Sequence, residues 1–449
     1  MYPHGYYANE QLFRVYPAVV RANVVSTLTV ISDTASHPFL DETVYEVRFV
    51  PKDERKTEDE RTFHELGFED ICQKIEVRPQ NGKIVLRYTF TGEQEWLIYI
   101  KKKEDASRAE WFWTESMPTS RVRLSVYSLS EELYGLLPMK GDLHIHTICS
   151  DGMDSPELTV AGYRGAGYDF LSFTDHRVYN DAKAVTDFFA FANPMRIIPG
   201  EEVHEKRDAV IHMVCLGGKY SVSDRIADSE YMQKRLAEAA EKYTVPEGLS
   251  KTEYLYRAVV YEEIKKSGGF AILPHPLWRL PERYNSNLSM SRAVLENDLT
   301  DGFELLGGID AEGNNLQLAL WSEMRAKGKS FPIVGSSDSH GMIHGVTSFS
   351  EVFTICFVDS ENNIIKSISD GKSVAVESIK DERQRIYGDF ALAKYAHFLR
   401  RCYFPRHDAL CRASGTLLWE YVTGDFSLAN AIRDIEEKIR TYKKRFFGI

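Results

Sequence analysis

Gly141-Asp142-Leu143-His144-Ile145-His146-Thr147-Ile148-Cys149-Ser150-Asp151-Gly152 is the stretch on which the reading of the chain turns. On a strand, residues i and i+2 project to one face, so His144 and His146 aim two imidazoles at a single point while Leu143 and Ile145 face the packed side. Two convergent ring nitrogens suit a divalent cation. One such pair is weak evidence, and its weight comes from a series that follows it near the ends of apolar runs. Thr174-Asp175-His176 comes after Phe170-Leu171-Ser172-Phe173, Gly200-Glu201-Glu202 after Arg196-Ile197-Ile198, and His212 lies between Ile211 and Met213. His275-Pro276 follows Ile272-Leu273-Pro274; Asp338 and His340, after Ile333-Val334-Gly335, repeat the i, i+2 geometry. Six of the 13 histidines stand at such places with carboxylates beside them, which isolated core histidines would not do.

Outward from this series the texture changes twice. From Lys140 short apolar strands alternate with helical stretches, as in Phe170 to Phe173, Asp181 to Phe191 and Arg196 to Ile198, which predicts a parallel sheet or barrel with its site at the carboxyl ends of the strands. Before about residue 138 the apolar period is two, as in Ser26 to Ile31, Tyr45 to Val50 and Trp96 to Ile100, and this predicts a β-sandwich. Asn81-Gly82 between Ile75–Val77 and Lys83–Phe90 reads as a hairpin turn, and the charged stretch from Asp53 to Phe68 as a helix. After about Lys380 the spacing of Leu392, Tyr395, Ala396 and Leu399, and the amphipathic run from Leu428 to Phe446, predict helices. The expected organisation is an accessory β-domain over 1–138, an α/β body over 139–378 and a helical extension over 379–449.

The chain has 449 residues, 43% of them hydrophobic and 27% charged, the balance of a globular protein of two or three units. Lys plus Arg number 55 against 66 Asp plus Glu, a net charge of −11, so a duplex nucleic-acid partner is not expected. The opening MYPHGYYANEQLFRVYP lacks the basic region and apolar stretch of a signal peptide, and no run of 18 apolar residues occurs. A cytoplasmic protein without a membrane partner is the expectation, with six reduced and mostly buried cysteines, none in a C-x-x-C pair.

Taken in order, these motifs resemble the PHP family, the polymerase and histidinol phosphatase superfamily of metal-dependent hydrolases, over roughly residues 139 to 378. H-x-H-T-x-x-S-D-G is His144 to Gly152, T-D-H is Thr174 to His176, G-x-E is Gly200 to Glu202, the isolated histidine is His212, H-P is His275-Pro276 and D-x-H is Asp338 to His340. The resemblance implies a distorted barrel of seven parallel strands holding two or three divalent metals. The β-domain and helical tail look more loosely like the branch with carbaryl-type carbamate hydrolases. Carried over, the resemblance places His144, His146, Glu202 and Asp338 on one metal and Asp151, His176 and His340 on a second. A third would take His212 and His275, with Glu202 bridging. Some members carry histidine one residue after Asp151; here that residue is Gly152, so harder oxygen ligation makes manganese or iron as plausible as zinc.

Neighbouring residues are read individually. Asp175 is expected to hold an imidazole in its tautomer, Cys149 to pack, and Glu304 to form a structural salt bridge. The G-x-E phase favours Glu202 over Glu201. His204 and His344 lie near enough in sequence to be candidates for touching substrate, and Arg177 and Arg279 are candidate clamps for phosphate oxygens or a carboxylate. Such a metal cluster activates water for hydrolysis, with His340 or a metal-bound water moving protons and Asp338 essential. With no Walker loop, Rossmann fingerprint or G-x-S-x-G elbow to compete, the expectation is a phosphoesterase acting on a small phosphomonoester, nucleotide or short oligonucleotide. The alternatives are an ester or carbamate hydrolase and a catalytically silent metal-stabilised binding protein. The segments Tyr220 to Lys251 and Arg279 to Asn297 are expected to form a lid.

Overall fold

The computed structural model describes residues 12–35, 37–53, 72–105, 122–204, 212–342, 349–359, 363–379 and 382–449. The chain divides into two compact units, one of residues 1–136, 398–406 and 439–449, the other of residues 137–397 and 407–438. The expected helix between Asp53 and Phe68 lies almost wholly outside the described residues.

The first unit contains β1 (Phe13–Tyr16), β2 (Val19–Arg21), β3 (Val25–Ser32), β4 (Tyr45–Pro51), β5 (Gln73–Val77), β6 (Lys83–Thr89), β7 (Gln94–Lys102) and β8 (Val122–Leu129). They form a three-stranded sheet, β1-β3-β6, and a five-stranded one, β2-β8-β7-β4-β5. Phe49 of β4 stacks on Tyr88 of β6 with centroids 3.9 Å apart, and Phe90 and Trp96 close around them edge to face. The alternating burial of β6 shows why period two was legible: Ile84 and Leu86 are fully buried while their neighbours are not. The Asn81-Gly82 turn forms, with φ of +51° and +70° and both N–H groups donating to Asp41, but it does not make the expected hairpin. Only Gln80 and Lys83 pair across it; β5 then joins β4 and β6 joins β3, in different sheets. Pro79 beside the turn lacks the N–H that a continuing ladder would need.

The second unit holds β9 (Leu137–Asp142), α1 (Pro156–Gly165), β10 (Phe170–Ser172), α2 (Lys183–Phe188), β11 (Arg196–Ile198), β12 (Gly200–Val203), β13 (Met213–Leu216), α3 (Val222–Ala227), α4 (Ser229–Lys242), α5 (Lys251–Ser267) and β14 (Phe270–Leu273). It continues through α6 (Leu288–Glu296), β15 (Gly302–Leu306), α7 (Ala311–Ala326), β16 (Ile333–Gly335), β17 (Val352–Val358), α8 (Ile364–Ser369), β18 (Ser373–Glu377) and β19 (Arg385–Tyr387). Helices α9 (Phe390–Cys402), α10 (Phe404–Val422) and α11 (Ala429–Phe447) complete the chain. Residues 379–449 are divided between the two units, each of these three helices contributing to both, so they do not form a body of their own. Their amphipathic pattern foretold helices but could not say what would cover each stripe.

Local chemistry explains the boundaries. Ser155 caps α1 through Leu158 N–H with Pro156 at its first position, Ser250 caps α5, and Gly268 at φ +81° ends it in the left-handed conformation. β13, β14 and β15 are buried at every position, as strands covered on both faces must be.

The ladders do not close into one barrel among the described residues. They form a six-stranded sheet, β11-β10-β9-β17-β18-β19, and a five-stranded sheet, β12-β13-β14-β15-β16, with Phe170, Ile198, Val214, Phe270 and Ile272 among the side chains packed between them. Isolated bridges at Ile145–Ser339 and His176–Glu202 are where backbone pairing passes between the sheets. Nor is the arrangement wholly parallel: β13 runs antiparallel to both β12 and β14, and β17 antiparallel to β9. That reversal matters for the site. His212 stands just before β13, whereas Glu202 lies near the end of β12 and His144, His146, His176, His275, Asp338 and His340 follow their strands, and the antiparallel direction brings the start of β13 to the same end.

Candidate metal centre

Beyond β9 the chain carries His144 and His146 into a turn that folds back on itself. Gly152 N–H donates to the Thr147 carbonyl at 2.9 Å, and a Cβ at 152 would sit 2.4 Å from the His146 carbonyl oxygen, so only glycine lets the turn close. This brings Asp151 back toward His146, His176 and His340. The turn also leaves Cys149 exposed, not packed as expected, because the backbone curls away beneath it. Two further ligand candidates occupy positive φ, His275 at +23° and Asp338 at +50°, conformations that cost roughly 1–3 kcal/mol and persist where surrounding contacts impose them.

All nine residues inferred as metal ligands lie in one cluster. Glu202 is at its centre: Oε2 is 2.7 Å from His176 Nδ1 and 3.5 Å from Nε2 of both His144 and His146, while Oε1 is 2.5 Å from His212 Nδ1 and 3.4 Å from His275 Nε2. Asp338 Oδ1 is 3.0 Å from His146 Nε2 and 3.3 Å from His144 Nε2. Asp151 lies 3.6 Å from both His176 and His340 and 3.8 Å from His146. The donor atoms fall into four overlapping groups: His146, Asp151, His176 and His340; His144, His146 and Asp338; His144, Glu202 and His275; and His176, Glu202 and His212. The grouping differs from the expected third site, because His212 and His275 fall into different groups and Glu202 is common to both.

The donor set fits divalent cations. Nε2 of His144, both ring nitrogens of His146, Nδ1 of His176 and Oε2 of Glu202 are buried without a hydrogen-bond partner. Buried polar atoms left unpaired are costly, and a set of them converging on shared points is explained by a ligand that accepts their lone pairs. Three carboxylates among nine donors supply the charge such ions require.

Electrostatics reflects the crowding. Burial opposes charge on His144, yet Asp338, Glu202 and Glu304 hold its pKa well above the ordinary histidine value. His275 and His176 are raised against burial too, chiefly by Glu202, whereas for His146 burial wins and the pKa falls. Despite burial, His212 and His144 hold Glu202 well below the usual carboxylate range, and His144, His146 and His275 do the same for Asp338.

The supporting residues were less legible in the sequence. Glu304 forms a buried ion pair with a histidine: on β15, its Oε2 lies 2.9 Å from His144 Nδ1 and its Oε1 accepts the His275 N–H at 3.2 Å. Asp175 holds no imidazole among the described residues. It accepts from Thr147 N–H, Thr147 Oγ1 and Ser150 Oγ at 2.7–2.8 Å, fastening the turn that carries Asp151. Asp142, which burial pushes up to about 7, accepts the backbone N–H groups of His144 and Ser337 and a hydrogen bond from Tyr163, and Asn285 contacts His275 Nδ1 at 3.3 Å. Glu201 faces away from Glu202 and accepts the Val222 and Ser223 N–H groups. For Asp142, Asp175 and Glu201 the sequence signal was their position within or beside the motifs; Glu304 and Asn285 lie away from them.

The arginines separate. Arg177, exposed and at φ +57°, lines a cavity beside His176 and His204 and has no ion pair among the described residues. Arg279 is instead engaged at 2.8 Å by Asp310 and 2.7 Å by Glu312, so it is not poised as an anion clamp; the excess of acids on this surface claims it. His344 lies outside the described residues.

No family model and no curated protein matches the chain. Among solved structures it is similar to a two-domain protein of Bacteroides vulgatus containing a predicted PHP-like metal-dependent phosphoesterase, at 19% identity and a TM-score of 0.35 over 54% of this chain and 66% of that one. It is similar to a candidate metal-dependent phosphoesterase of Bifidobacterium adolescentis, at 17% identity and 0.34 over 51% and 96%. A Chromobacterium violaceum amidohydrolase with bound sulfate and no metal aligns at 17% identity and 0.32 over 54% and 99%. No helix among the described residues is long and apolar enough to cross a membrane.

Proposed function

We propose that this chain is a metal-dependent hydrolase that cleaves a small phosphomonoester, nucleotide or short oligonucleotide end, with two or three divalent cations held by His144, His146, Asp151, His176, Glu202, His212, His275, Asp338 and His340. One observation carries the proposal: buried ring nitrogens and a buried Glu202 oxygen that lack hydrogen-bond partners converge on common points. Bound there, such cations would lower the pKa of water and neutralise charge on the scissile group. The protein's own part is positioning. Glu304 orients His144, Asp175 holds the turn that carries Asp151, and Arg177, which has no ion pair among the described residues, offers its guanidinium at the cavity for an anionic group. His340 Nδ1 donates to the Asp338 carbonyl at 2.9 Å and turns Nε2 toward Asp151, which favours a ligand's role over that of a proton carrier.

A carbonyl ester or carbamate substrate is the second reading, and the pairing of Arg279 with Asp310 and Glu312 favours it by removing one candidate phosphate clamp. The test is inorganic phosphate release from sugar phosphates and nucleotides by manganese-loaded protein, with Asp338→Ala as blank and an aryl ester and a carbamate in parallel. Phosphate release lost in the variant supports the first reading. Cleavage of the ester or carbamate alone moves the protein to the second, and inactivity of fully loaded protein on every substrate makes it a silent binding protein.

A further inference from the structure

Beside the histidine cluster lies a cavity of about 700 Å³, larger than a phosphate and a small alcohol require. His176, Arg177 and His204 supply its polar end. Its inner wall is mainly apolar, built from buried Ile226 and Met232 and half-buried Leu236 and Tyr256 on α3, α4 and α5 with buried Ser223 beside them, whereas the polar lining residues Asp224, Ser229 and Gln233 sit on the exposed rim. The surroundings continue the pattern. Val178, Ile148, Met153 and Trp278 are 39%, 59%, 61% and 40% exposed, and each lies within three residues of a candidate ligand, with Trp278 edge-on to His275 at 5.9 Å. Large apolar side chains left in water around a polar centre mark a surface that an apolar group covers.

We propose that the cavity holds the leaving group of the substrate, and that this group is aromatic or similarly large and apolar: the substrate class is an aryl phosphomonoester, its anionic end toward Arg177 and the cluster. A sugar would place several hydroxyls against Ile226, Met232 and Leu236, where buried Ser223 could bond one of them but not the set, whereas a ring system exchanges water for apolar contact there. The inference rests on the metal-hydrolase reading above and names the substrate of the same site.

The test measures calorimetric affinities of full-length, manganese-loaded protein for methylphosphonate and naphthylmethylphosphonate, neither of which can be hydrolysed, beside phosphate release from methyl phosphate and naphthyl phosphate. The naphthyl ligand is expected to bind at least tenfold tighter. That ratio should collapse to within about threefold in Met232→Glu, and in Val178→Glu, where an exposed site keeps folding out of question, with manganese content unchanged. Val85→Glu, on the other unit, should keep the ratio. Equal affinities in the unmodified protein would overturn the aryl pocket, and phosphate release from both esters would then leave the hydrolase reading intact. A preserved affinity ratio with no hydrolysis of either ester would instead overturn the phosphomonoesterase reading while the pocket stood.

Discussion

The Glu304 carboxylate touches His144 Nδ1 at 2.9 Å with one oxygen and accepts the His275 backbone N–H at 3.2 Å with the other. One buried group on β15 thereby sets the ring orientation of a candidate ligand beyond β9 and the backbone of another beyond β14. With Nδ1–H donating to Glu304, His144 presents Nε2 to Glu202 and Asp338. Glu304→Ala should lower metal affinity about 10- to 100-fold. Glu304→Gln, which keeps an acceptor, should lower it less. Competition against a chromophoric chelator measures both, and equal affinity in the alanine variant would refute the role.

Metal removal should cost stability, because the converging donors are unpaired without it. Divalent metal at about 100 times its Kd adds roughly 2.7 kcal/mol to the folded state. Chelation should therefore lower the thermal midpoint by roughly 5 °C, and added manganese or zinc should restore it. In Asp338→Ala the metal-dependent shift should vanish. A variant that retained the shift, a full metal complement and activity would remove Asp338 from the ligand set.

Gly152→Ala tests the turn. Its Cβ would meet backbone, the His146 carbonyl oxygen at 2.4 Å, so the turn must open and carry Asp151 away from His176 and His340. The expected result is loss of roughly 1–3 kcal/mol of stability together with weakened metal binding. Denaturant titration and metal content report the two effects separately, and an alanine variant with native values of both would show that the turn tolerates the displacement.

Acid sensitivity of the first unit should depend on Glu95. Burial raises its pKa, but Arg401 at 2.6 Å and Lys52 at 2.7 Å more than offset this, so the folded value is lowered. A lowered folded pKa means stabilisation that is present above the unfolded value near 4.5 and lost as the pH falls through the folded one. Because both partners are partly exposed, the pair contributes only about 1 kcal/mol. Glu95→Gln should be less stable than the parent by about that amount at pH 7, with the difference closing below about pH 4. Denaturant unfolding across pH 3–7 would show a constant difference if the reading is wrong.

Much of the second unit was legible because its signals are local. The i, i+2 spacing of His144 and His146 pointed both rings to one place, although they stand beyond β9 with Ile145 bridging Ser339, and apolar runs before the motifs marked β10, β11, β14 and β16. Strand alternation says that Glu201 and Glu202 face opposite ways but not which faces the site, and only the G-x-E phase of the resemblance favoured Glu202; in the structure Glu201 turns to the start of α3. What misled was equally local. Asn81-Gly82 specifies a turn, not which strands leave it, and β5 and β6 went to different sheets.

The sequence by itself determined the chemistry on offer: nine metal-capable side chains at strand ends, a glycine where a turn must close, and apolar periods that demand sheets and helices. Tertiary structure alone decided how those groups combine. The reversal of β13 delivers His212 from the start of its strand, burial gives Glu304, read as one end of a salt bridge, two histidines to support, and Asp310 and Glu312 engage Arg279, a candidate anion clamp. The physical reason is range. Propensity and periodicity act over a few residues, whereas strand direction, burial and the choice of ionic partner are settled by residues that may be 160 positions apart, as His144 and Glu304 are.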